Sequence, residues 1–149
     1  MDLSRLKWPI LIVVLIGVGW LISDPGISFL HTRYTSVEPG VDAAKDVKNE
    51  AGLTKLGGFL MSTMRLTRAS TCFEDARRLY PDGKNYWWNT YRLAECQERL
   101  GNPRKAITLY EELIRYTARE EDNRILENDA LQLRVDKLLE LHELGEIGM

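Results

Sequence analysis

Four interruptions, near Arg65, at "PDGKN" (Pro81 to Asn85), at "GNP" (Gly101 to Pro103) and near "EDN" (Glu121 to Asn123), divide the chain beyond Asn49 into five stretches. Within each stretch apolar residues recur three and four apart, the period of a helix with one buried face; a half-buried strand would alternate in twos. Nothing alternates in that way, so the expectation is an all-α fold. The first four stretches have nearly one length, about 14 residues, and the breaks carry Pro, Gly, Asn and Asp, which end helices. Short helices of equal length joined by short turns call for a search for repeats.

Ahead of this part, "WPILIVVLIGVGWLI" runs from Trp8 to Ile22 without a charge. A membrane span takes ~20 apolar residues. Leu6, the aliphatic stem of Lys7 and Ser23 extend the run towards that length, and Trp8 and Trp20 suit the two interfaces. The expectation is an uncleaved transmembrane anchor over residues 1–23, touching lipid through residues 8–22. A cleaved signal peptide is the rival reading, because a basic start and a short apolar core fit it too. Its exit, "GWLISDPG", has no A-x-A site and no cysteine for lipid attachment. Arg5 and Lys7 precede the run, whereas Asp24 follows it and Arg33 is the next basic residue. The positive-inside rule then places the N-terminus in the cytoplasm and the rest outside it, periplasmic in a Gram-negative cell.

Residues 24–49 carry two Pro-Gly pairs, "DPG" and "EPG", and little helical period, which reads as a spacer. Its stretch "GISFLHTRY" also suits the membrane surface or a partner. Residues 50–149 form the helical domain. With 20 basic and 22 acidic side chains interspersed over 149 residues, the net charge of −2 offers no positive field for a nucleic-acid backbone.

Within the helical domain, Leu93 and Ala94 stand on one helix, Gly101 in a turn, and Ala106, Tyr110 and Leu113 on the next helix. Upstream, Leu56 and Gly57 stand at the same offset from Ala69, Phe73 and Ala76, and Pro81 closes the unit. This pattern resembles the tetratricopeptide repeat, in which a large and a small residue on the first helix meet a small residue and an aromatic on the second. The resemblance covers residues 50–118. It implies a short repeat domain of two degenerate helix pairs plus a C-terminal capping helix. Thr90 stands where the family favours tryptophan, Gln97 where it favours tyrosine and Ala118 where it favours proline; the first unit also lacks the turn glycine. The last helix, Arg124 to Leu144 with Gly145 as its stop, carries one stripe of Leu131, Val135, Leu138 and His142 and another of Leu133, Leu141 and Leu144. Capping the last repeat and docking to another subunit are both open to it.

Catalytic signals are absent from the sequence. The two histidines, His31 and His142, have no motif around them, and there is no phosphate loop, G-x-G-x-x-G or H-E-x-x-H. We expect no enzyme, no cofactor and no metal. Cys72 and Cys96 are read as buried small hydrophobes, or as one disulfide if the domain is exported to oxidising conditions. In the repeat family the first helices line a concave groove. The resemblance places Trp88, Tyr91, Glu95, Glu98 and Arg99 there as the partner-binding face, opposite the reading that Trp87, Trp88 and Tyr91 pack inward on Leu79 and Tyr80. The matching face of the first unit is Ala51, Thr54, Gly58, Met61 and Ser62. The resulting expectation is a membrane-anchored protein–protein interaction module, a scaffold or assembly factor of a cell-envelope complex that binds other membrane or envelope proteins. Its alternatives are a small accessory subunit built stably into a membrane enzyme or transporter, and a soluble exported binding protein after signal cleavage.

Overall fold

A computed structural model describes the backbone of residues 3–147 and the side chains of residues 7–143, so the side chains of Arg5, Leu6 and Leu144 lie outside the described residues. The order is α1 (Leu3–Ile22), α2 (Asp24–Thr35), α3 (Ala43–Ser62), α4 (Leu66–Leu79), α5 (Tyr86–Arg99), α6 (Pro103–Arg115), α7 (Ala118–Glu121) and α8 (Asn128–Ile147), with no strand among the described residues. The chain falls into two units, residues 1–37 and 38–149. In the second unit α3 packs on α4, α4 on α5, α5 on α6 and α6 on α8, while α3 also touches α5.

Residues 24–49 are not the irregular spacer that two Pro-Gly pairs suggested. Pro25 lies in the first turn of α2, where its missing N–H has no helical partner to lose. Gly40 takes a left-handed φ of +90° in the turn that follows. The Asp42 carboxylate then caps α3, accepting from the backbone N–H of Ala44 at 3.0 Å and of Lys45 at 3.2 Å. These contacts, that to Lys45 first, hold the Asp42 pKa below its ordinary value. The cap makes α3 20 residues long, six more than α4 or α5. α8 likewise runs through Gly145, the expected stop. An isolated glycine inside a helix costs only about 1 kcal/mol.

The two turns that reverse the chain are copies of each other. After α3, the N–H of Arg65 donates to the Leu60 carbonyl at 2.8 Å and that of Met64 to Met61 at 3.2 Å. After α5, Asn102 donates to Gln97 at 2.9 Å and Gly101 to Glu98 at 3.1 Å. Each pair closes a helix through one left-handed residue. Gly101 does so at φ 78° without a Cβ, and Met64 does so at φ 62° with one. A methionine after α3 thus takes the conformation that a glycine takes after α5.

Of the residues assigned to repeat packing, Leu56, Gly57, Ala69, Phe73, Ala76, Leu93, Ala94, Ala106, Tyr110 and Leu113 are buried, whereas Pro81 and Gly101 lie exposed in turns. Gly57 shows why size matters: a Cβ there would stand 2.8 Å from Cε1 and Cζ of the fully buried Phe73 ring. Ala94 holds the matching place in the second unit, also fully buried.

These contacts set opposite signs for neighbouring substitutions, readable from thermal or denaturant unfolding. Gly58 has open space around its Cα, so Gly58→Ala raises stability by up to about 1 kcal/mol. Gly57→Ala lowers stability instead, because an overpacking cost of about 1–3 kcal/mol exceeds that gain. Met64→Gly relieves the left-handed strain and stabilises by up to about 1 kcal/mol.

Candidate functional site

The α5 face from Trp88 to Glu98 is covered by the chain's own C-terminal segment. Tyr91 is only 6% exposed. Its ring stacks on Trp88 at 5.6 Å, and its hydroxyl donates to Glu95 Oε1 at 3.1 Å. From α8, Arg134 donates to the Tyr110 hydroxyl at 2.9 Å and stands 3.5 Å from both Glu95 Oε1 and Glu98 Oε2. Tyr110 in turn donates to Glu98 Oε2 at 2.8 Å. Burial, with Glu95 beside it, pushes the Tyr91 phenol up to about 12, and burial with the Glu98 acceptor raises that of Tyr110. Half-buried Trp88 has Arg124 at 4.8 Å and Arg92 at 5.5 Å over its ring. Arg99 stays apart from this network: it is exposed, with Nη2 2.8 Å from Met64 Sδ.

The neighbouring Trp87 is also engaged within the chain, donating its indole N–H to Glu121 at 2.8 Å and lying 5.6 Å from Tyr116. Elsewhere in the helical unit, Arg77 of α4 forms an ion pair with Glu112 of α6 at 2.8 Å. Both bond the hydroxyl of Tyr86 from α5. Three consecutive helices are tied at one point.

A cleft of about 760 Å³ opens where α3, the start of α5 and the segment before α8 converge, lined by Val47, Glu50, Ala51, Lys55, Lys84, Asn85 and Glu120 to Arg124. From the expected face of the first unit only Ala51 reaches it. Thr54 instead donates to Asn89 at 2.8 Å, Met61 is buried and Ser62 is exposed. Asp122 and Arg124 are paired at 2.6 Å and Glu121 is held by Trp87, while Lys55 and Lys84 are exposed. The cleft therefore presents ammonium groups from α3 and the α4–α5 loop opposite carboxylates from α7.

Glu50 is the least expected member. It is 2% exposed, and its Oε1 accepts the Asn85 N–H at 2.7 Å, so α3 caps the entry to α5 across the domain. Gly83 has no room for a Cβ, which would stand 2.3 Å from that oxygen. Burial raises the Glu50 pKa against the lowering effect of the Asn85 and Lys84 N–H groups and the Arg124 charge. The sequence signals for this cluster were faint: a single Glu among the polar residues of α3, Arg134 beside the apolar stripe of α8, and Arg124, which precedes α8 because that helix starts at Asn128 and not at Arg124 as expected.

Cys72 and Cys96 are free thiols in this structure. Both are buried, and burial pushes their thiols up to about 12 and about 11. The His142 imidazole accepts from Arg104 at 2.9 Å. No three His, Cys, Asp or Glu side chains among the described residues are grouped so as to hold a metal ion. Comparison with protein-family models, with curated proteins and with solved structures finds no match to this chain.

Two measurements check this geometry. Tyr91→Ala lowers unfolding stability by about 3–5 kcal/mol, as for a buried aromatic, and adding Trp88→Ala lowers it further. For Glu50, the raised pKa means that the folded chain takes up the proton at a higher pH than the unfolded chain. Its contribution to stability is fully present below the unfolded value and is lost as pH rises through the folded one. In matched denaturant titrations, the stability of the native chain relative to Glu50→Gln is therefore greater near pH 4 than near pH 7.

Proposed function

We propose that this chain is a membrane-anchored protein-interaction module, holding a tetratricopeptide-like helical domain at a membrane so that it can engage a protein partner of an envelope complex. The observation that carries the reading is α1 itself. Trp8, Ile10, Val13, Val14, Leu15 and Ile16 are all at least half exposed, at 71, 55, 68, 53, 61 and 66%. A water-facing helix with apolar residues on every side is unfavourable, at about 25 cal/mol for each Å² exposed, and lipid is the solvent that suits it. No single helix among the described residues is long and apolar enough to cross a membrane; Lys7–Ile22 and Asp24–Thr35 meet that test as a bent pair. The uncharged run Trp8–Ile22 of α1 rises about 22 Å, short of the roughly 30 Å of a hydrocarbon core, and the aliphatic stem of Lys7 and local thinning of the bilayer make up the difference.

The surface proposed for the partner is the cleft beside Lys55, Lys84 and Glu120, with the half-exposed edge of Trp88 next to it. The alternative, a subunit built permanently into a larger membrane complex, is favoured by one feature of α8: Leu133 and Leu141, outside the buried stripe of Leu131, Val135 and Leu138, are 71 and 56% exposed.

Fractionation with and without residues 1–23 tests the anchor: the full chain stays with membranes through a high-salt or carbonate wash, and recovery of the full chain in the soluble fraction would sink the reading. For the partner surface, proximity cross-linking from the full chain in intact cells compares Lys55→Glu with Lys84→Glu against Leu133→Ser with Leu141→Ser. Loss of cross-linked products in the lysine pair alone, at unchanged melting temperature, supports the cleft; loss in the leucine pair alone transfers the contact to α8.

A further inference from the structure

The break between α1 and α2 has a built geometry. The two helices meet at 69° across the single residue Ser23, which is extended at φ −71°, ψ 162° and serves as the N-cap of α2. Gly26 lies against the last turn of α1: a Cβ there would come within 2.2 Å of the Trp20 carbonyl oxygen and 2.7 Å of Leu21 Cα, both backbone atoms that cannot step aside. Ile27 is 3% exposed. Across the elbow the Trp20 and Phe29 rings meet at 5.9 Å. A loose hinge would need none of these contacts.

The faces of α2 differ. Ser28 and Thr32 form one exposed polar stripe, four residues apart. Phe29 and Arg33 form another, with Phe29 51% exposed and Arg33 exposed beside it. An apolar ring with an arginine one turn on suits the headgroup layer, where the ring enters the acyl boundary and the guanidinium meets lipid phosphate. The hydrocarbon core does not suit this helix, because Ser28, Thr32 and Thr35 would face lipid there and Asp24 and Arg33 are costly at that depth.

We propose that α2 lies in the plane of the membrane at the headgroup level, with the Gly26 elbow turning the chain out of the span and the Trp20–Phe29 pair and Arg33 binding the phospholipid interface. This rests on the anchor reading of α1. It assigns residues 24–35 to a lipid surface, where neither a spacer nor a second half of the span would place them.

The test uses the full chain reconstituted in vesicles of phosphatidylcholine and phosphatidylglycerol, with a nitroxide attached at one introduced cysteine at a time: Val14→Cys, Ser28→Cys, Leu30→Cys, Thr32→Cys or Arg33→Cys. Cys72 and Cys96 are buried and are checked for silence in the unsubstituted chain. Collision with dissolved oxygen reports lipid, and collision with a water-soluble nickel chelate reports water. The expected result is Val14 in lipid, Ser28 and Thr32 several-fold richer in nickel collisions than Leu30 and Arg33, and loss of that alternation in Gly26→Leu. If all four α2 labels match Val14, α2 continues the span and the proposal fails while the anchor stands. If all four are equally open to nickel, α2 is in water and the proposal again fails alone. If Val14 is itself open to nickel, the anchor reading falls, and this one with it.

Discussion

The close approach of α3 to α4 at Gly57 is the constraint on which the helical unit depends. Phe73 occupies the space that any side chain at position 57 would need, and Ala94 of α5 and Tyr110 of α6 are likewise fully buried. Close crossing lets each short helix bury a broad strip on its neighbour, the main source of stability for helices of this length. The two left-handed turns, at Met64 and Gly101, return the chain at the angle this packing requires. A methionine can fill the first turn because its side chain is 67% exposed and displaces nothing; the cost is confined to backbone strain.

Above that apolar layer lies a polar one that joins elements far apart in sequence. Glu50 of α3 receives the entry to α5, Arg77 and Glu112 hold Tyr86 between them, and Arg134 closes over Glu95, Glu98 and Tyr110. Carboxylates this close together on one helix would repel one another if left uncovered, and Arg134 supplies the opposing charge. Such groups remain buried only when their hydrogen bonds are completed by partners, so the polar layer fixes which helix faces which more narrowly than apolar packing does. It also explains why the aromatics of α5 serve two roles: Tyr91 is a core residue with a polar tip, while Trp88 is a shared wall held between Arg92 and Arg124.

The N-terminal unit obeys a different solvent rule. Its first helix exposes apolar side chains on all sides, whereas the second unit buries a continuous apolar core. That contrast in pattern within one chain is the physical basis for reading a lipid-facing segment joined to a water-facing domain.

The sequence disclosed the helical class and the turns near Arg65, at Pro81 to Asn85 and at Gly101 to Pro103, because these follow from periodicity and from residues that stop helices. It did not disclose that residues 24–35 and 43–49 are helical: two Pro-Gly pairs obscured a proline tolerated in a first turn and an aspartate cap. It did not decide the state of the α5 face either. Trp88, Tyr91, Glu95 and Glu98 share one helical stripe whether they line an open groove or carry a roof. Only the tertiary structure placed Arg124 and Arg134 over them and Glu50 under Asn85, because those contacts join residues about 35 to 40 apart, and local pattern carries no record of which distant charge closes over which face.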